Sequence, residues 1–397
     1  MLANKKIVLG VTGGIAAYKA AELVRELVRA GAQVYVIMTR SAQAFVTPLT
    51  FQTLSGNPVT AELFSLVEES EIGHISLADR ADLLVIAPAT ANMIGKIAGG
   101  IADDLLSTVV MATQAPVLIA PAMNVHMWEN SICQENIQKL RQKGYHFIDP
   151  EAGELACGYE GKGRLAEVPA IVEEIRFLLS PNDFSGETVL ISAGPTEEDI
   201  DPVRFITNHS SGKMGYALAR AALRRGAEVV LVSGPTSLAP LPKVHLIKVR
   251  SAVQMREAVF QHLGKASILI MAAAVSDYRP KQASTQKIKK ATAAPIIDLE
   301  RNPDILAEAG KGKGNRIFVG FAAETQNLMQ NAKEKLTEKN LDLIVANDVS
   351  VPGAGFRGDT NIVKILDRSG KIEELPMMSK EELADHILNR VLFLKKK

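Results

Sequence analysis

Cysteine is nearly absent from this chain of 397 residues, with Cys133 and Cys157 the two examples. Two thiols cannot build a disulfide framework, and free thiols suit an intracellular chain. Aromatics make up 5% of residues and include one tryptophan, Trp128, which reads as core. Neither sign of charge dominates: 45 Lys and Arg face 44 Asp and Glu, a net charge of +1. That balance gives no reason to expect nucleic acid or a membrane surface as a partner. No apolar run reaches the length of a bilayer crossing. The opening MLANKKIVLGVTGG has no cleavage-site pattern, so a cytoplasmic protein is expected.

What is present is ordinary globular material, 47% apolar and 22% charged, in a length that suits two domains. KIVLGV is a short branched run that reads as a buried strand. Ala20, Leu23, Val24, Leu27 and Val28 then follow helical spacing up to Gly31, and QVYVIMT is the next strand. This is one βαβ unit. LLVIAP and PVLIAP supply further strands. The same grammar restarts at ETVLISAGPT and continues through SILIMAAA, RIFVGFAAE and DLIVAND, ending in a hairpin predicted at NIVKILDRSGKIEEL. SPNDFSG between the halves reads as a linker. The fold class is therefore α/β, with two doubly wound Rossmann-like domains over 1–182 and 186–397. In such folds ligands bind beyond the carboxyl ends of the strands.

Several stretches lie at those ends. VTGGIAAYK, with Gly13, Gly14 and Ile15, suits a phosphate at a helix N-terminus. It is neither GxGxxG nor GxxxxGK[ST]. The following strand ends IMTR, with Thr39 in place of the acidic residue that a dinucleotide enzyme uses on ribose. A tight βα turn accounts for the loop equally well. Asn124 in PAMNVHMW could read a carboxylate or simply cap a helix. His74 could be a general base or an ordinary surface residue. LACGYEGKGRL carries Cys157 among Gly158, Gly161 and Gly163. Glycine is costly inside a helix or strand, so this segment reads as a loop. SSGKMG resembles an anion-cradling turn, although Met214 follows its GK pair and it is no Walker loop. KIKK, Lys287–Lys290, reads by itself as a solvated basic loop.

Taken in order, GGIAAYK, His74, PATAN, PAMNVHMW and LACGYEGKGRL resemble the flavin-dependent cysteine decarboxylases. DPVRFITNHSSGKMG, AAAVSDYRP, KIKK, NPDIL, GFAAET and KNLDLIVAND resemble the phosphopantothenate–cysteine ligases. Nearly the whole chain is covered, and the order is that of the bifunctional decarboxylase/ligases of coenzyme A biosynthesis. The resemblance implies a flavodoxin-like flavoprotein domain followed by a ligase domain. In the first it implies FMN on Gly13, Gly14, Ile15, Thr39 and the Ser107 region, with His74 as base. Asn124 would hold the substrate carboxylate, Met123 would shape the pocket, and Cys157 would donate a proton from a glycine-hinged flap. Tyr159 stands where the family often has Asp. In the second it implies CTP, Mg2+, phosphopantothenate and cysteine. Lys287 would help form an acyl-cytidylate, Asn208 would act on it, and Arg204 would support the acyl phosphate. Asp277 would meet CTP or its metal, and Ala273, Pro303, Asp304, Ile305, Leu306, Phe321, Lys335 and Lys339 would line the nucleotide site. Such enzymes form trimeric decarboxylase contacts and dimeric ligase contacts, which together imply a dodecamer.

Three rival functions stand beside this one. A nicotinamide dehydrogenase would need the glycine fingerprint in its first loop and an acidic residue after the second strand. A flavoprotein with a degenerate ligase half is opposed by Asn208, Lys213, Asp277 and Lys287 standing together. A non-catalytic flavin-binding regulator is opposed by His74, Asn124 and Cys157.

Overall fold

The computed structural model describes residues 2–61, 73–154, 158, 160–289, 296–324, 327–348 and 358–396. The chain forms two compact units, Met1–Ser180 and Pro181–Lys397.

In the first unit KIVLGV forms β1 (Lys6–Val11), buried from its second residue on. There follow α1 (Ala17–Arg29), β2 (Gln33–Met38), α2 (Pro48–Ser55), α3 (Gly73–Arg80), β3 (Leu83–Ala89) and α4 (Ala91–Gly99). Next come α5 (Leu105–Ala112), β4 (Val117–Pro121), α6 (Val125–Glu129), α7 (Ser131–Gln142) and β5 (His146–Phe147). The unit closes with β6 (Glu151–Glu154), β7 (Glu160–Arg164) and α8 (Val168–Leu179). The strands β2-β1-β3-β4-β5 form a parallel sheet in that order. Ile7 and Leu9 of β1 face a core shared with α1 and α8, whereas Val8 faces α4, α5 and α7. Alternation along a strand sends its side chains to opposite faces, and both faces are covered by helices, as a parallel sheet requires. Gly31, with φ +86°, lets the chain turn out of α1.

The second unit runs β8 (Thr188–Ala193), β9 (Glu197–Asp199), β10 (Phe205–Thr207), α9 (Lys213–Arg224), β11 (Glu228–Ser233) and β12 (His245–Lys248). It continues with α10 (Ala252–Leu263), β13 (Ile268–Met271), β14 (Tyr278–Pro280), β15 (Leu299–Arg301), α11 (Ile305–Lys311) and β16 (Ile317–Glu324). Then come α12 (Leu328–Glu338), β17 (Leu343–Asp348), β18 (Thr360–Asn361), β19 (Val363–Asp367), β20 (Ile372–Glu374), β21 (Met378–Ser379) and α13 (Lys380–Lys395). Strands β12-β11-β8-β13-β16-β17 are parallel, and the expected hairpin β19–β20 adds an antiparallel edge. Its turn is closed by Gly370 N donating to Asp367 O at 3.0 Å, with Gly370 at φ +82°.

One expectation fails. The glycine-rich Glu160–Arg164 is a strand, β7, paired antiparallel with β6, and not a loop. Contact explains it. A Cβ on Gly163 would lie 2.3 Å from Met123 O, and one on Gly161 would lie 2.7 Å from Val125 Cγ2. Glycine is used here because the hairpin lies directly on the backbone entering α6, where Met123 N donates to Gly163 O at 3.0 Å.

Candidate functional site

In each unit the strand order reverses beside the first strand, between β1 and β3 and between β8 and β13. Loops leaving the two strands at such a point diverge to opposite faces and open a crevice. Each unit has a cavity there, of about 750 Å³ in the first and about 660 Å³ in the second, within the range of small-ligand sites.

The first cavity is lined by Gly13, Gly14 and Ile15 after β1, Thr90 and Ala91 after β3, and Ala122, Met123 and Asn124 after β4. Glu154, Gly163 and Arg164 of the β6–β7 hairpin form a further wall. Thr12 is 2% exposed and ties the reversal point together. Its Oγ1 donates to Pro88 O at 2.7 Å and accepts from Thr90 N at 3.0 Å. Thr90 in turn caps α4, accepting from Met93 N at 3.3 Å. Gly13 sits against Ser41, where a Cβ would come within 2.3 Å. Asn124 both lines the cavity and caps α6, its Oδ1 accepting from His126 N at 2.9 Å.

Other expected residues of this unit are placed elsewhere. Thr39 holds the end of β2, where its Oγ1 accepts from Ala42 N at 3.3 Å, outside the lining. Ser107 is buried in the first turn of α5, in a reciprocal capping box with Asp104, and is also outside the lining. The backbone of His74 lies in α3, but its side chain falls outside the described residues. So do Cys157 and Tyr159, in the connection from β6 to β7. The cations of that hairpin are paired. Lys162 Nζ is 3.0 Å from Asp149 and lies over the Trp128 ring at 5.5 Å, and Arg164 pairs with Glu167. Burial pushes the Asp149 carboxyl up, but Lys162 and Arg141 outweigh it and hold the group below its usual range. Trp128 is buried, as expected.

The second cavity gathers more of the expected residues. Asn208, the Ser210–Gly215 turn, Ala273, Asp277, Pro303, Asp304, Ile305, Leu306, Phe321, Lys335 and Lys339 all line it. Gly212, at φ +78°, caps α9. Asn208 Nδ2 donates to Ala274 O at 2.9 Å, and Ala273 N donates to Ser192 Oγ at 3.1 Å. Asp304 caps α11 through Ala307 N at 3.0 Å and meets Lys339 Nζ at 2.8 Å. Burial raises the affinity of Asp304 for a proton, yet Lys339 and the Ala307 N–H reverse the balance and keep it ionised. Asn361 and Lys380, which nothing in the sequence marks as site residues, also line this cavity, as do Asn302 of NPDIL and Asn347 of KNLDLIVAND, which nothing singles out within those motifs. Asn361 and Lys380 come from segments outside every motif quoted for the resemblance.

Arg204 and Lys287 are outside that lining. Arg204 is tied instead to Ile288, the residue that follows Lys287. The Asp201 side chain is wholly buried and accepts from Val203 N at 2.8 Å, Arg204 N at 2.9 Å, Arg204 Nε at 3.0 Å and Ile288 N at 3.1 Å. Arg204 Nη2 donates to Ile288 O at 2.9 Å. The KIKK segment is thus pinned at Ile288, with Lys287 exposed beside it and Lys290 outside the described residues. The Arg204 guanidinium holds the Asp201 carboxyl far below the usual carboxylate range. Among the described residues no cluster of three His, Cys, Asp or Glu could hold a metal by itself, and no helix is long and apolar enough to cross a membrane.

Comparison with known proteins matches both units. The model of the Flavoprotein family matches residues 1–180. That of the DNA/pantothenate metabolism flavoprotein C-terminal domain matches 184–394. The chain is 52% identical over 405 residues to the coenzyme A biosynthesis bifunctional protein CoaBC of Bacillus subtilis (strain 168), covering 100% of this chain and 98% of that one. It is 49% identical over 393 residues to the protein of the same name from Vibrio cholerae serotype O1, covering 98% of each. A crystal structure of the C-terminal domain of a CoaBC protein is 45% identical, covers 54% of this chain and 98% of its own, and has a TM-score of 0.47. With both units matched, and relatives aligned over nearly its entire length, this chain belongs to the family of bifunctional CoaBC proteins of coenzyme A biosynthesis.

Proposed function

We propose that the second unit joins 4′-phosphopantothenate to cysteine at the expense of CTP, and that the first decarboxylates the product to 4′-phosphopantetheine with FMN. One observation carries this: two separate cavities stand at the two strand-order reversals, the first walled by Gly13, Gly14 and Asn124, the second by Asn208, Ala273, Asp277 and 303–306.

In the second unit the substrate carboxylate attacks the α-phosphorus of CTP and pyrophosphate leaves. Cysteine nitrogen then attacks the acyl-cytidylate and CMP leaves. Negative charge grows at phosphorus, so fixed cations and donors at that point lower the barrier. Lys287 serves the first step, Asn208 the second, and Arg204 supports the acyl phosphate. The Asp201–Arg204–Ile288 linkage sets where the Lys287 segment begins. Asp277 is exposed on the cavity wall. One carboxylate plus substrate phosphates is an ordinary site for Mg2+, so Asp277 fits that ion.

In the first unit, small residues at the reversal point fit a flat flavin that needs close approach to backbone. FMN, when bound, supplies the reversible oxidation that gives the departing carboxylate an electron sink. Asn124 orients the substrate carboxylate from the N-terminus of α6, and His74 takes a proton. Cys157 holds a proton on Sγ for the unsaturated thiol left when CO2 departs. The site is completed by neighbouring copies through three-fold contacts, with two-fold contacts of the ligase unit building a dodecamer in the cytoplasm. Ile15 and Tyr18, 60% and 59% exposed on the wall of the first cavity, support such a covering neighbour.

The test is pyrophosphate release from CTP in the presence of phosphopantothenate. Wild type releases it with CTP, whereas Lys287→Gln does not. Asn208→Asp releases pyrophosphate but accumulates the cytidylate. Release with ATP and none with CTP would overturn the nucleotide assignment.

A further inference from the structure

The two units share a device at the point where their strand order reverses. In the first, the Thr12 hydroxyl takes the N–H of Thr90, the residue that follows β3. In the second, the hydroxyl of Thr196, past the end of β8, accepts from Ser276 N, past the end of β13, at 3.0 Å. Both threonines are buried, Thr196 completely. Neither belongs to the lining of its cavity.

The hydroxyl is needed in the second unit because the ladder between the strands runs out there. Ala274 N donates to Gly194 O at 2.9 Å and Thr196 N donates to Ala274 O at 3.2 Å, as parallel pairing demands. The next bond of that ladder would run from Ser276 N to Thr196 O. Thr196 O is taken instead by Thr207 Oγ1, which donates to it at 2.8 Å. The side chain of Thr196 therefore does what its carbonyl cannot. Asn302 holds the other side of the same residue. Its Nδ2 donates to Ser276 O at 2.8 Å, and its backbone N donates to Asp277 O at 2.8 Å. The main chain of Asp277 is thus clamped before and after, while its carboxylate is exposed and makes no ion pair among the described residues. A fixed main chain that offers an unengaged acid to a cavity is a pre-organised ligand.

We propose that Thr196 is a positioning residue of the ligase site: its hydroxyl, through the Ser276 N–H, fixes Asp277 where that carboxylate meets CTP or its metal. This rests on the CTP-dependent reading of the second cavity. Thr196 itself touches neither. Thr196→Val keeps the shape of the side chain and removes the acceptor, which strands a buried N–H. The segment then loosens, and each binding event has to order it again. Asn208 is spared, because its Nδ2 is anchored on Ala274 O, which the Thr196 main chain holds whatever the side chain. The loss therefore falls on the nucleotide and not on cysteine.

Two measurements on the full chain test this. Hydrogen exchange, read by mass spectrometry over residues 272–278, reports the hydroxyl directly: Thr196→Val exchanges the Ser276 amide faster than wild type, and Thr196→Ser restores its protection. Calorimetric titration of CTP in the presence of Mg2+ reports the purpose. Thr196→Val binds CTP about 5–30-fold more weakly, the loss expected when the backbone of one residue has to be ordered on binding, and Thr196→Ser binds it as wild type does. The KM for cysteine and CO2 release from phosphopantothenoylcysteine stay at wild-type values. Ser267→Ala is the control, since its Oγ bridges the same two strands at their other end, donating to Thr188 O at 3.2 Å; it leaves CTP affinity unchanged. If Thr196→Val does not fold, Thr196→Ala, which removes the same acceptor and leaves the segment room, decides. Unchanged exchange at Ser276, wild-type CTP affinity in a folded variant, or CTP and cysteine parameters that worsen together would each overturn the positioning role. A wild type that neither binds CTP nor makes CMP from it overturns the ligase reading itself.

Discussion

Gly163→Ala is the sharpest structural perturbation of the first cavity. A Cβ there falls 2.3 Å from Met123 O and 3.4 Å from Met123 C. Both are backbone atoms at the entry to α6, so no rotamer change relieves the clash. Either β7 lifts away or the Met123–Asn124 turn is pushed outward. Either way the 3.0 Å bond from Met123 N to Gly163 O is lost. One backbone hydrogen bond contributes about 0.5–1.5 kcal/mol, and overpacking a fitted contact costs about 1–3 kcal/mol. Together they destabilise the unit by about 3 kcal/mol, or roughly 6–12 °C for a unit of this size. Trp128 gives a local assay, because it is the one tryptophan in the chain and lies beneath Lys162, next to Gly163. Its fluorescence follows unfolding of the first unit without interference from the second. The same variant displaces Met123 and Asn124, so flavin affinity falls as well. Gly264→Ala is the control: it lies outside this unit, its Cβ meets nothing within 4 Å, and its φ is −62°. A Gly163→Ala protein that melts with wild type and retains its flavin would refute the packing argument.

Other outcomes follow from the same geometry. Asp201→Asn releases Arg204 and Ile288. The folded pKa of Asp201 is depressed, so its contribution is present above the unfolded carboxylate value of about 4 and is lost as pH falls through the lowered one. The stability gap between wild type and variant, followed by circular dichroism, is widest near neutrality and narrows below about pH 4; a constant gap down to acid would contradict this. Asp304→Ala removes the cap of α11 and the partner of Lys339, lowering the thermal stability of the second unit by about 1 kcal/mol; an unshifted melt would deny it the capping role. Cys157→Ser releases CO2 but leaves an oxidised, unsaturated thiol in place of phosphopantetheine, read by mass spectrometry, and normal product would remove Cys157 from the chemistry.

The sequence was most readable where side-chain burial alone decides structure. KIVLGV and LLVIAP are continuous apolar runs, and each became a strand covered on both faces. The hairpin at Asp367–Gly370 was legible because a positive φ at a tight turn calls for glycine. β7 was misread because its glycines answer to Met123 and Val125, partners that only the folded chain supplies. For the same reason Lys380 and Asn361 passed unremarked: each is an ordinary residue until the fold brings α13 and β18 to the wall of the second cavity. Arg204 shows the opposite case. Its motif drew notice, but its partners, Asp201 and the Ile288 carbonyl, became visible only in three dimensions.

The central claim is that one chain performs two successive reactions on one substrate. The direct measurement is to incubate the purified full chain with phosphopantothenate, cysteine, CTP and Mg2+ and to quantify all products. The account predicts a yellow protein that forms pyrophosphate, CMP, CO2 and phosphopantetheine in equal amounts. Pyrophosphate and CMP without CO2, CO2 only from added phosphopantothenoylcysteine, or a colourless protein that still releases CO2 would each contradict it.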